Sequence, residues 1–131
     1  MAAKTPQISD AEWQVMKLLW EKNPLTATQI VGELQKESDW KDLTIRTLVR
    51  RLVKKGAVSY TVDENDSRIF HYSPTVKLGE CIKSEKDNIL KKISRASAPL
   101  LIASFLDDVS LSDAEIDELS SILKEKRDSR D

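Results

Sequence analysis

The sequence predicts a mainly α-helical chain interrupted by one small β-hairpin. Only three glycines and four prolines punctuate its 131 residues, so turns are scarce. Charged residues make up 33% of the chain, and the apolar residues among them recur three and four positions apart, as on amphipathic helices. Period-two alternation occurs over residues 57–62 and again at 68–72. A chain of this length forms one domain or two small ones that share a core, which leaves no room for a large multidomain enzyme.

The elements follow in order. Ser9-Asp-Ala-Glu12 is a capping box, with Ile8 placed as its hydrophobic staple. The helix it opens should run to about Lys22, with Trp13, Met16, Leu19 and Trp20 along one buried stripe and Asn23-Pro24 as its stop. Thr26-Ala-Thr-Gln29 is a second capping box, opening a short helix through Ile30, Val31 and Leu34 to about Glu37, and Trp40 lies in the linker that follows. A third helix fits Asp42 to Lys55. On a 100° wheel Ile45, Leu48, Val49 and Leu52 share one arc, while Thr47, Arg50, Arg51 and Lys54 centre on the opposite side, flanked by Thr44 and Arg46. Gly56 then supplies the left-handed residue that ends a helix. Ala57 to Val62 and Arg68 to Tyr72 read as two strands around a turn-rich Asp63 to Ser67, with Pro74 closing the hairpin.

Three helices and a hairpin within about 75 residues, the third helix basic on its polar side, form the winged helix-turn-helix arrangement. From Thr75 the composition changes. Leu78, Ile82, Ile89 and Ile93 make a stripe on one long helix, Pro99 to Leu106 is apolar around most of its circumference, and Ser112-Asp-Ala-Glu115 caps a last helix bearing Ile116, Leu119, Ile122 and Leu123. A segment of this size cannot bury so many apolar side chains by itself, so a partner subunit is the expected cover. The expected organisation is therefore a winged-helix domain over residues 1–74 and a helical dimerisation domain over 75–131. Leu78, Ile82, Ile89, Ile93, Leu101, Phe105, Leu119 and Leu123 are the expected interface.

Enzyme chemistry fails on inventory. The one histidine, His71, falls on a strand with neither base nor orienter in view, and the one cysteine, Cys81, falls beside Ile82 on a helix, where a small buried hydrophobe is its usual role. There is no glycine-rich phosphate loop and no repeated Cys or His spacing for zinc. No cofactor, metal or catalytic residue is expected. No apolar run approaches the roughly 20 residues of a membrane span, and the start does not read as a signal peptide. With a lone cysteine, this gives a cytoplasmic protein with no membrane partner.

The formal net charge of −1 conceals a local excess. Lys41 to Lys55 holds six bases and one acid, a balance of +5. A helix fits the DNA major groove, where Arg and Lys bond guanine, Thr contacts a base edge or a thymine methyl, and further cations hold phosphates. Thr44, Thr47 and Arg51 share a direction and are candidates for base contact. Arg46, Arg50, Lys54 and Lys55 are better placed for phosphates. The competing reading is a solvated basic helix, against which stands the lack of any interleaved acid after Asp42. On the wing, Asp63, Glu64 and Asp66 would repel phosphate at the tip, leaving Arg68 and Tyr60 to reach the backbone.

Ile8-Ser-Asp-Ala-Glu-Trp-Gln-Val-Met16, Leu18-Leu-Trp20, Thr44-Ile-Arg-Thr-Leu-Val-Arg-Arg-Leu52 and Lys54-Lys-Gly56 resemble the bacterial penicillinase-repressor family, of the BlaI, MecI and CopY type. The resemblance implies a homodimer that represses transcription from a palindromic DNA operator through the major groove. It carries over Thr44, Arg46, Thr47 and Arg51 as DNA-reading positions, although Leu43 stands where penicillinase members commonly have lysine. β-Lactam-responsive members, which serve antibiotic resistance, are cleaved in the dimerisation domain through a sensor-linked protease, and the comparable place here is Ser104-Phe105. Phe105 has a second reading as a dimer-core aromatic. The cysteine-rich C-terminal motif of copper-responsive members is missing, which leaves copper sensing through that motif unsupported; a metal-responsive repressor is kept as the alternative within the family. A winged-helix protein-interaction module is the alternative outside it.

Overall fold

A computed structural model of the chain describes residues 5–130. Helix α1 (Asp10–Glu21) starts where the sequence places its cap. The Ser9 hydroxyl accepts from the Glu12 amide at 3.2 Å, and the Glu12 carboxylate accepts from the Ser9 amide at 2.9 Å. Helix α2 (Ala27–Gln35) repeats the device with Thr26 and Gln29. Helix α3 (Asp42–Lys55) ends at Gly56, whose φ of 82° is the left-handed value that glycine adopts without a steric penalty. Ile45, Leu48, Val49 and Leu52, the arc read from the wheel, are all buried. They pack with Val15, Met16 and Leu19 of α1 and Ile30 and Val31 of α2 into one core. Trp13 and Trp20 close its edge in a T-shaped pair at 5.3 Å.

The hairpin strands are β2 (Val58–Val62) and β3 (Phe70–Pro74). Pro74, expected to close the hairpin, is the last residue of β3, paired with Val58, at a strand end where its missing N–H interrupts no ladder. A third strand, β1 (Leu25–Thr26), pairs antiparallel with β3, so the sheet order is β1-β3-β2. Two residues have no periodicity to read, which is why the sequence shows this strand only as the lead-in to α2.

The chain divides into two compact units, one through Asn88 and one from Ile89. The first runs past the expected boundary at residues 74 and 75 for a physical reason. The Trp20 indole donates to the Val76 carbonyl at 2.9 Å, and Cys81, on helix α4 (Leu78–Lys92), is only 2% exposed. Burial pushes the Cys81 thiol pKa up, leaving an inert apolar side chain. The second unit holds the end of α4, a 3₁₀ turn (Arg95–Ser97), α5 (Ala98–Asp108) and α6 (Asp113–Asp128), the last capped by Ser112 and Glu115. None of its described side chains is buried. No helix among the described residues is long and apolar enough to cross a membrane.

Candidate nucleic-acid interface

Helix α3 is held from behind by its four buried aliphatics, which turns its other side outward. Thr44, Arg50, Arg51 and Lys54 are exposed and Thr47 is half-buried. Among the described residues, Arg50, Arg51 and Lys54 form no ion pair. They therefore present uncompensated charge on a rigid element, as phosphate and base contacts require. Arg46 is more constrained. Its Nε donates to Asp42 one turn earlier, and its Nη2 reaches Thr28 Oγ1 of α2 at 3.3 Å. That anchoring fixes Arg46 where α2 and α3 meet.

Lys55 does not stand with the free cations. Its ammonium donates to the Glu12 carboxylate and to the Gln7 carbonyl. The expectation of a phosphate contact is revised accordingly: a carboxylate only 2% exposed needs a counter-charge more than the exposed face needs one more cation. Burial raises the Glu12 pKa, but hydrogen bonds from Lys55 and Ser9 outweigh it and hold the carboxyl below its ordinary range. The pair clamps the start of α1 to the end of α3. Lys55→Met is expected to cost about 2 kcal/mol at neutral pH, measured by urea unfolding. A lowered carboxylate pKa contributes stability above the unfolded-state value that is lost as pH falls through the folded-state value. The advantage of wild type over Lys55→Met should thus shrink below about pH 4; a difference that persists there would rule the clamp out.

The wing tip carries its own compensation. His71 Nε2 lies 2.8 Å from Asp63 Oδ1, and Asp63 also accepts from the amides of Asn65 and Asp66. Arg68 grips Asp66 through Nε and Nη2 at 3.0 and 3.1 Å. His71 and Arg68 respectively lead in holding the two carboxyl pKa values below their usual range. Of the three tip acids expected to repel phosphate, only Glu64 has no such partner among the described residues. Arg68, an expected phosphate contact, is exposed but already shared with Asp66.

Sequence reasoning missed how the wing addresses α3. Register places Tyr60 opposite Tyr72 and Val62 opposite Phe70. Tyr60 and Phe70 stack at 4.4 Å, and Tyr72 leans on both. The period-two pattern puts these rings on one face of the hairpin, but only the fold shows that the face turns toward Arg46 and Arg50.

Comparison with known proteins decides the family. The family model described as "Penicillinase repressor" matches residues 8–125. The chain belongs to the penicillinase-repressor family. Penicillinase-repressor relatives include the penicillinase repressor of Bacillus licheniformis, 35% identical over 95% of this chain and 94% of that protein. The methicillin resistance regulatory protein MecI of Staphylococcus aureus is 36% identical over 96% of this chain and all of that one. Among solved structures, the DNA binding domain of the repressor BlaI is 38% identical, with a TM-score of 0.52, over 61% of this chain and 93% of that one. The monomeric form of Bacillus licheniformis BlaI in complex with the blaP half-operator is 39% identical, with a TM-score of 0.50, over 57% and 88%. Both confirm the winged-helix fold.

The remaining expected positions, the apolar interface residues and Ser104-Phe105, lie on α4 to α6 and the turn between. Leu78, Ile82, Phe105, Leu119 and Leu123 are exposed, and Ile89, Ile93 and Leu101 half-buried. Ser104-Phe105 lies inside α5, both side chains exposed.

Proposed function

We propose that this penicillinase-repressor family member is a cytoplasmic transcriptional repressor that binds a palindromic DNA operator as a homodimer. The observation that carries the reading is the outward strip of α3, where Thr44, Thr47, Arg50, Arg51 and Lys54 stand clear of any internal carboxylate. Thr44, Thr47 and Arg51 read bases, with Arg46 beside them as the fixed guanidinium at the α2 junction. Arg50 and Lys54 hold phosphates. Two copies of α3, spaced one helical turn of DNA apart at about 34–36 Å, enter successive major grooves, and the bound dimer occludes the promoter.

The second unit supports the dimer. Leu100 is 75% exposed and Leu123 65%, and a unit with no buried side chain among its described residues needs a partner surface. A second copy supplies it symmetrically, with no further protein required. Release by proteolysis at Ser104-Phe105 requires α5 to open first, because the bond lies within a regular helix. Opening would disrupt the surface that pairs the copies.

The direct test is the salt dependence of duplex binding. Two phosphate-holding cations per copy, Arg50 and Lys54, make four in a dimer, and at about 0.9 per neutralised phosphate the log–log slope should be about −4. A slope near zero would remove the nucleic-acid reading and favour a protein-docking role for the same face.

A further inference from the structure

Between α3 and the wing runs an open groove of about 360 Å³ that duplex recognition alone does not explain. One wall is α3, with Arg46, Arg50 and Val53 on the side turned to the hairpin. The other is the aromatic strip of Tyr60, Phe70 and Tyr72. At the foot of that face Val58 is sealed in the core at 2% exposure, whereas Tyr60 and Val62 further out are 45% and 50% exposed. The rings thus extend the apolar surface beyond what the core uses.

The composition of the groove specifies its occupant. The size is that of a small-ligand site, and the mixture of apolar rings with a few convergent polar groups is what such sites contain. The Tyr60 and Phe70 rings, stacked on each other only 16° from parallel, leave the outer face of the stack for a further planar ring to extend. Among the described residues, no carboxylate lines the groove. Asp42 already offsets Arg46, so Arg50 supplies the unspent positive charge. Burial and the neighbouring Tyr60 raise the Tyr72 pKa against the pull of Arg46 and Arg50, which keeps its hydroxyl protonated and able to donate.

We propose that this groove is a regulatory site for a planar aromatic carboxylate, its ring stacked on the wing and its carboxylate held by Arg50, and that occupancy excludes the duplex. The exclusion rests on the DNA-binding reading above, since bound ligand would take the same guanidinium that grips phosphate; the binding site itself does not. A neutral arene would forgo the charge, and a bare inorganic anion would forgo the rings.

The test uses 2-naphthoate, its neutral counterpart 2-naphthylmethanol, and inorganic phosphate, each titrated into the full chain by calorimetry and followed by amide NMR. 2-Naphthoate should saturate at one per chain, with shifts at Arg50, Phe70 and Tyr72, and bind at least about tenfold more tightly than either comparator. Arg50→Gln and Phe70→Leu should each weaken it by about tenfold, with near-ultraviolet dichroism confirming that each variant is folded. Equal binding of phosphate would reduce the groove to a seat for backbone anions, and equal binding of the alcohol to an apolar patch; either overturns the site. In a duplex titration, 2-naphthoate should weaken wild-type binding and leave Phe70→Leu at its own baseline. Saturable 2-naphthoate binding with unchanged duplex affinity would overturn the regulation. Saturable 2-naphthoate binding by a protein that holds no duplex would sink the DNA reading and leave the site standing.

Discussion

Leu119→Asp should sediment as a monomer and bind a full palindromic duplex at least about 100-fold more weakly than wild type. Leu119 lies on α6 at 39% exposure, in a unit without a buried side chain among its described residues. A carboxylate there leaves the winged-helix core untouched and forces a charge into the proposed dimer surface. Each recognition helix alone makes few contacts. Tethering converts the second engagement into a nearly intramolecular step, which is where a gain of two or more orders of magnitude arises without any new contact. The monomer should keep weak half-site binding, as expected of an intact α3. Ile89→Asp, half-buried near the end of α4, should behave alike. Wild-type affinity in a proven monomer would refute the role of the second unit.

The other large effect concerns the division of labour on α3. Against a duplex selected from a randomised pool by the wild-type protein, Arg51→Ala should lose about 1–3 kcal/mol while binding to random duplex changes little. Thr47→Ala should flatten discrimination in the same sense. Arg50→Ala, which removes one phosphate contact from each copy, should weaken selected and random duplexes by the same factor and lower the magnitude of the salt slope by about 2. The distinction follows from position. Thr44, Thr47 and Arg51 recur three and four residues apart on one side of the helix, whereas Arg50 lies toward the wing, where Tyr72 and Phe70 flank it. Indistinguishable behaviour of Arg50→Ala and Arg51→Ala would show the two roles to be wrongly assigned.

What the sequence made legible was local. The boxes at Ser9, Thr26 and Ser112 each form as read, because a side chain and an amide three residues apart need nothing from the rest of the fold. The buried arc of α3 and the glycine that ends it were equally plain, since helical period and backbone freedom are properties of the segment itself. Lys55 shows where such reading fails. Its partner Glu12 lies 43 residues away, and no pattern in either helix says that α1 delivers a carboxylate there. The wing fails for the same reason in reverse. Alternation places Tyr60, Phe70 and Tyr72 on one face, but which face meets α3 is a matter of tertiary packing that no pattern within the hairpin carries. The outward direction of the side chains proposed to read DNA was thus available from one helix, while their separation from the internally committed Lys55 was not.

The most direct measurement is an amide and guanidinium NMR titration of the full chain with the selected duplex. Perturbations should concentrate on Thr44, Thr47, Arg50, Arg51 and Lys54, with the Arg51 guanidinium signal sharpening as it acquires a fixed acceptor. Lys55 and Glu12 should move little, because their charges are already matched to each other. Shifts confined to other surfaces of the protein, with α3 silent at saturation, would contradict the placement of this helix against DNA.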